Sequence, residues 1–171
     1  LETPLSIYLK LANGPFSYLL ESSQGDEKWG RYSIIGLPSE TILSVRGQNI
    51  EIRQKGEVVE SAETEDPMQF IESFQARYQI DHQDNLPRFY GGLVGYFGYD
   101  TVRYVEKKIK DTAPHDPLGT PDILLMISED IVVFDNIESK IQYIKLVDSD
   151  IEDSVASAKA ELRKRSKSLS D

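Results

Sequence analysis

Two short stretches hold the side chains best suited to gripping something small. Leu19-Leu20-Glu21-Ser22 ends an apolar run in a carboxylate and a hydroxyl. Lys28-Trp29-Gly30-Arg31-Tyr32-Ser33 adds a guanidinium, the chain's single Trp, a phenol and a second hydroxyl. A carboxylate with a hydroxyl can hold an ammonium, and a cation or strand N–H groups can hold a carboxylate. The chemistry these groups fit is therefore a ligand with both an amine and a carboxylate. On the residues alone, an ordinary surface hairpin closed by a salt bridge worth ~0–1 kcal/mol accounts for them at least as well.

Other chemistries find less footing. Gly92, Gly95 and Gly98 are spaced by three and no Lys-Ser/Thr follows. That is close strand packing rather than a phosphate cradle. His82 and His115 lie far apart in polar stretches with no second ligand at i+2 to i+4, so they read as surface histidines. There is no G-x-S-x-G elbow for a nucleophilic serine. With 19 basic against 29 acidic residues the net charge is −10, which argues against nucleic acid or an anionic membrane as partner. No apolar run approaches the ~20 residues of a membrane span, and no signal segment is visible. The chain has no cysteine, which excludes disulfides and thiolate metal sites and suits a cytoplasmic protein. Its 171 residues are read as one domain spanning 1–171, or a compact half of something larger. The opening Leu1, with no initiator Met, reads as a trimmed piece.

The elements that must position these groups follow from periodicity. Thr3-Pro4 opens a helix whose stripe is Leu5, Tyr8 and Leu9, and Asn13-Gly14-Pro15 stops it. Phe16 to Ser22 and Arg31 to Gly36 alternate as strands joined by a polar loop over 23–27. Paired as a hairpin, they bring Glu21-Ser22 and Gly30-Arg31 together at its mouth. Thr41 to Arg46 and Asn49 to Arg53 form a hairpin around Gly47, the chain turns toward Val58-Val59, and Glu60 to Glu65 is expected to be irregular. Asp66-Pro67 starts a second helix with the stripe Phe70, Ile71, Phe74 and Tyr78. Phe89 to Gly98 reads as a glycine-relieved strand leading into a short helix from Asp100 to about Glu106, with loop over 107–120. Ile123–Ile127, Asp130–Asp135 and Lys140–Val147 are strands. Ser149 and Glu152 form a capping box for a last helix with the stripe Ile151, Val155, Ala158 and Leu162, and with Arg163, Lys164 and Arg165 at its end. The sum is an α+β fold: antiparallel β-sheets with helices packed on the outer side.

Thr3-Pro4-Leu5, Tyr18-Leu19-Leu20-Glu21-Ser22 and Trp29-Gly30-Arg31-Tyr32-Ser33-Ile34-Ile35-Gly36 resemble the amino-terminal region of anthranilate synthase component I. Gly91-Gly92-Leu93-Val94-Gly95-Tyr96-Phe97-Gly98-Tyr99-Asp100, with Arg103 and Glu106, resembles that family's glycine-tyrosine segment. The order of motifs holds across nearly the whole chain. The resemblance implies the amino-terminal half of the anthranilate/aminodeoxychorismate synthase fold, and a part in tryptophan biosynthesis. Family members are lyases that turn chorismate into anthranilate with ammonia from a glutamine amidotransferase component II, using Mg²⁺. Their chorismate and Mg²⁺ ligands lie in a carboxy-terminal domain with no counterpart here, so this chain is expected to be inactive alone. Its implied role is allosteric: a feedback site for L-tryptophan carried by Glu21 and Ser22, with Leu20 as apolar wall and Arg31, Tyr32 and Ser33 on the facing segment. A sister reading is the amino-terminal domain of aminodeoxychorismate synthase component I, of the folate pathway. A stand-alone amino-acid-binding or adaptor module is the reading from another class.

Overall fold

The computed structural model describes residues 2–21, 30–80, 86–109 and 116–170. Ser22, Trp29, His82, His115 and the loop expected over 23–27 lie outside the described residues. The chain divides into two compact units. The first comprises Leu1–Ser39, Asn85–Gly91 and Ser128–Asp171, and the second comprises Glu40–Asp84 and Gly92–Ile127.

The first unit opens with helix α1, Pro4–Leu11. The Thr3 hydroxyl accepts from the Ser6 N–H, and the Ser6 hydroxyl accepts from the Thr3 N–H, so two orphan donors of the first turn are satisfied. The helix buries Ile7 and half-buries Tyr8 and Leu11, whereas Leu5 and Leu9 face outward, against the expected stripe. Pro4-Leu-Ser-Ile-Tyr-Leu-Lys-Leu11 is apolar at two overlapping helical spacings, and only the sheet decides between them. Strand β1 is Tyr18–Leu20 and β2 is Tyr32–Gly36, both shorter than expected. Phe16 drops out of β1 because its φ is +57°, a conformation strands do not use.

The same sheet takes its other two strands from about 100 residues further on. It runs β1-β2-β8-β9, with β8 at Asp130–Asp135 and β9 at Lys140–Lys145, and every pairing is antiparallel. One face (Leu19, Ile35, Val132, Phe134, Ile141, Tyr143) packs with Ile7 and Ala12 from α1 and its cap, and with Leu169. The other face centres on Ile131, Val133 and Ile144, against Tyr32, Leu86, Phe89 and Tyr90. At the β1–β2 crossing a Cβ on Gly36 would overlap the Tyr18 ring, whose hydroxyl hydrogen-bonds Ser128 Oγ at 2.6 Å.

Helix α4 spans Ser154–Ser170 and therefore starts later than the Ser149–Glu152 capping box implied. The entry is instead an Asp148 turn, with Asp148 Oδ1 accepting from Asp150 N–H and Asp148 O accepting from the Ser154 hydroxyl. Asp153 sits at φ +62°, which no helix interior permits. Ile151 and Val155 are exposed and Ala158 is buried. Arg165, expected near the end of the helix, falls within it. It donates to Asp130 of β8 and to Glu161, while Lys145 of β9 bridges the same two carboxylates.

The second unit holds a five-stranded sheet ordered β5-β4-β3-β7-β6. Its strands are β3 Thr41–Arg46, β4 Asn49–Gln54, β5 Glu57–Glu63, β6 Gly92–Phe97 and β7 Ile123–Ser128. The stretch expected to be irregular after Glu60 is in fact ladder as far as Glu63, because pairing with β4 supplies hydrogen bonds that its acidic composition does not forbid. Leu43, Val45, Ile50, Ile52, Ile123, Leu125 and Ile127 form one apolar face, and helix α2, Pro67–Gln75, lays Ile71 and Phe74 on it. The Asp66 carboxylate caps α2 by accepting from the Gln69 N–H at 3.0 Å. Tyr78 lies past the helix end, edge-on to Phe74 and half exposed. Gly95 is pressed so closely on the Leu124 carbonyl that a Cβ there would collide with it, which bears out the packing reading at that glycine. A 3₁₀ turn at Tyr99–Thr101 and the short helix α3, Val102–Val105, follow β6.

Candidate functional site

The expected pairing of β1 with β2 is present, and two ladders set its register across β1, β2 and β8. Leu20 pairs with Ile34, which pairs with Val133, so an apolar row crosses β1, β2 and β8 on one face. Val133 is buried, Ile34 is partly covered and Leu20 is 50% exposed, so the row opens outward as a shelf at the β1 edge. Glu21 follows Leu20 as an exposed residue just beyond the end of β1.

The facing segment is tightly engaged. Arg31 donates from Nε and Nη2 to Asp135 Oδ2 at 2.8 and 2.6 Å, and from Nη2 to Glu138 Oε1 at 2.8 Å. Its guanidinium lies 5.0 Å from the centre of the Tyr32 ring. Asp135 is buried, and its second oxygen accepts from the N–H groups of Ile137 and Glu138, which ties the β8–β9 turn. The Arg31 guanidinium holds the Asp135 carboxyl below the usual carboxylate range; burial opposes this and the two turn amides assist it. Ser33 is buried, and its hydroxyl receives Asn136 Nδ2 at 3.2 Å. The Asn136 N–H also donates to the Arg31 carbonyl at 2.7 Å.

The six expected site residues thus divide. Leu20 and Tyr32 share one face, with Arg31 folded onto the Tyr32 ring, while Ser33 lies on the other. Arg31 and Ser33 are both satisfied by protein partners, and Glu21 is solvent-exposed. Ser22 is among the residues not described. Sequence reasoning missed Asp135, Glu138 and Asn136, which reach Arg31 and Ser33 from 103 to 107 positions away. Their only local sign was the short polar gap between the strands read at Asp130–Asp135 and Lys140–Val147. Among the described residues no group of three or more His, Asp or Glu side chains could hold a metal ion. No described helix is long and apolar enough to cross a membrane.

No family model matches the chain. Anthranilate synthase component 1 of Pseudomonas putida is 57% identical over 162 residues, which is 95% of this chain and 33% of that protein. The protein of the same name from Neisseria gonorrhoeae is 49% identical, with the same two coverages. That of Aquifex aeolicus is 45% identical over 84% of this chain and 28% of its own length. The crystal structure of anthranilate synthase component I from Streptococcus pneumoniae TIGR4 superposes with a TM-score of 0.53 at 27% identity, over 95% of this chain and 35% of that one. The chain spans about a third of the length of the relatives it matches. By sequence the chain is similar to about a third of the length of proteins named anthranilate synthase component 1, and its two antiparallel sheets with helices match the fold of a solved component I.

Proposed function

We propose that this chain is the amino-terminal, non-catalytic part of an anthranilate synthase component I, and that its β1–β2 mouth carries part of the site through which L-tryptophan inhibits the enzyme. The carrying observation is 57% identity along 95% of the chain to a protein of that name. In the whole enzyme the lyase reaction, chorismate to anthranilate, falls to the chorismate-binding carboxy-terminal domain with its Mg²⁺, and ammonia comes from the amidotransferase component II. A cytoplasmic location goes with this reading.

The mouth suits the role in three respects. The half-open shelf of Leu20 and Ile34 offers an apolar wall for an indole. The exposed Glu21 carboxylate offers an acceptor for an ammonium. The Arg31–Asp135 pair keeps the facing strand fixed, so little ordering is required when ligand arrives. Tryptophan inhibits only to the extent that it binds one arrangement of the whole enzyme better than the other.

Replacing Glu21→Ala or Ser22→Ala in the full-length enzyme should raise the tryptophan concentration for half-inhibition by about tenfold or more, roughly 1.4 kcal/mol of binding. The uninhibited rate should stay near its starting value. Inhibition curves unchanged in both variants would overturn the site. The 171-residue chain alone should form no anthranilate from chorismate, ammonia and Mg²⁺.

A further inference from the structure

The two sheets have four edge strands, and three of them are guarded in recognisable ways. Strand β1 is only three residues long. Strand β5 carries Glu57, Glu60 and Glu63, and its ladder with β4 is broken by an irregularity at Ile52/Arg53. Strand β9 begins at Lys140 and ends at Lys145, both held in ion pairs. Short length, charge and bulges are the devices by which proteins keep a sheet edge from pairing with another chain.

Strand β6, Gly92-Leu-Val-Gly-Tyr-Phe97, is guarded neither by short length nor by charge. It has six residues, no charge and no proline, and it closes the five-stranded sheet beyond β7. Among the described residues no strand pairs with its outer side. Tyr96 and Phe97 are about half exposed, and the surface continues through Tyr99 (92%), Val102 and Val105 (78%). The last three stand at i, i+3 and i+6 on one side of the following helical turn. On its other side Tyr104 is tied inward, its hydroxyl within hydrogen-bonding distance of Gly47 O and Asp122 Oδ2. An unguarded edge beside an outward apolar stripe is a surface built to be covered.

We infer that the outer edge of β6 receives an extended, apolar segment from the polypeptide that the longer relatives carry beyond the matched third, adding a sixth strand to this sheet. The inference rests on the family reading, because it requires that longer chain. Two observations favour this occupant over a second copy. About two thirds of each relative has no counterpart in this chain and must pack somewhere. Two copies paired edge to edge would bring together two bodies of net charge −10.

The test is residue-resolved amide hydrogen exchange on the full-length enzyme. Alternate residues of a strand direct their N–H groups to opposite sides, so three of the six amides in Gly92–Phe97 point away from β7. A sixth strand predicts that all six exchange at least ~100-fold slower than unstructured amides, at every protein concentration tried. Rapid exchange at alternate positions would show an uncovered edge and overturn the inference. Protection that falls away on dilution would assign the edge to a second copy and overturn it equally. Tryptophan inhibition lies outside this measurement, so failure here leaves the Glu21/Ser22 variants to judge the feedback site separately.

Discussion

The two sheets make their stability in different ways. The four-stranded sheet joins β1 and β2 to strands about 100 residues away, and each end of β8 is fastened by charge. Asp135 takes Arg31 at one end, while Asp130 takes Lys145 and Arg165 at the other. The five-stranded sheet builds β3, β4 and β5 from consecutive hairpins, and ion pairs of its unit such as Arg53–Glu51 and Arg77–Glu60 lie at the surface. Among β3, β4 and β5 local connection makes register a matter of turn chemistry and apolar alternation, although β7 joins β3 from about 80 residues away. Remote connection leaves the first sheet in need of partners that specify which strand meets which, a use for partly buried charge that raw stability does not require.

The largest expected effects come from the cores. Leu43→Ala and Ile35→Ala each empty a fully buried position, one per unit, at a cost of about 2–5 kcal/mol. Calorimetry should show each variant displacing mainly the transition of its own unit, and identical displacement of a single shared transition would break the comparison. Next comes Gly95→Ala, which drives a methyl into the Leu124 carbonyl and should destabilise the five-stranded sheet by about 1–3 kcal/mol. Asp130→Ala removes a shared acceptor of Lys145 and Arg165 and should cost about 1–2 kcal/mol, little altered by 1 M salt. Glu60→Ala in the exposed pair with Arg77 should cost less than about 1 kcal/mol, and that loss should vanish in salt. Denaturant curves at low and high salt measure both, and equal salt sensitivity would erase the distinction drawn here.

The smallest effect is a pH dependence. Asp135 ionises more readily folded than unfolded, so near its titration the unfolded chain binds more protons and stability rises with pH. Its contribution should be complete above about pH 4 and be lost as pH falls through the folded value. Asp135→Asn should flatten that part of the stability profile; an unaltered profile would remove Asp135 from the account.

Much of this was legible in the residues. Thr3-Pro4 and Asp66-Pro67 start helices as their capping chemistry requires, and β7, β8 and β9 fall within two residues of their apolar runs. Where reading failed, a tertiary choice had overruled a local one. Leu5 and Leu9 were as plausible a buried stripe as Ile7 and Leu11 until the sheet selected the latter. Ser149 offered a cap, but the Asp148 turn was taken instead. At the mouth, Glu21 and Arg31 were visible as chemistry, but nothing near them announced that Asp135 and Asn136 would occupy Arg31 and Ser33.

The pairing of Tyr32–Gly36 with Ile131–Asp135 also orders events during synthesis. A ribosome adding roughly 5–20 residues per second delivers β8 about 5–20 s after β2. Meanwhile every strand of the five-stranded sheet up to Ile127 has been made, so that unit can fold while β1 and β2 still wait for their partner. A nascent chain would acquire its hairpin mouth last, and a mutation that slows closure of β8 onto β2 would expose an apolar strand pair to chaperones rather than to ligand.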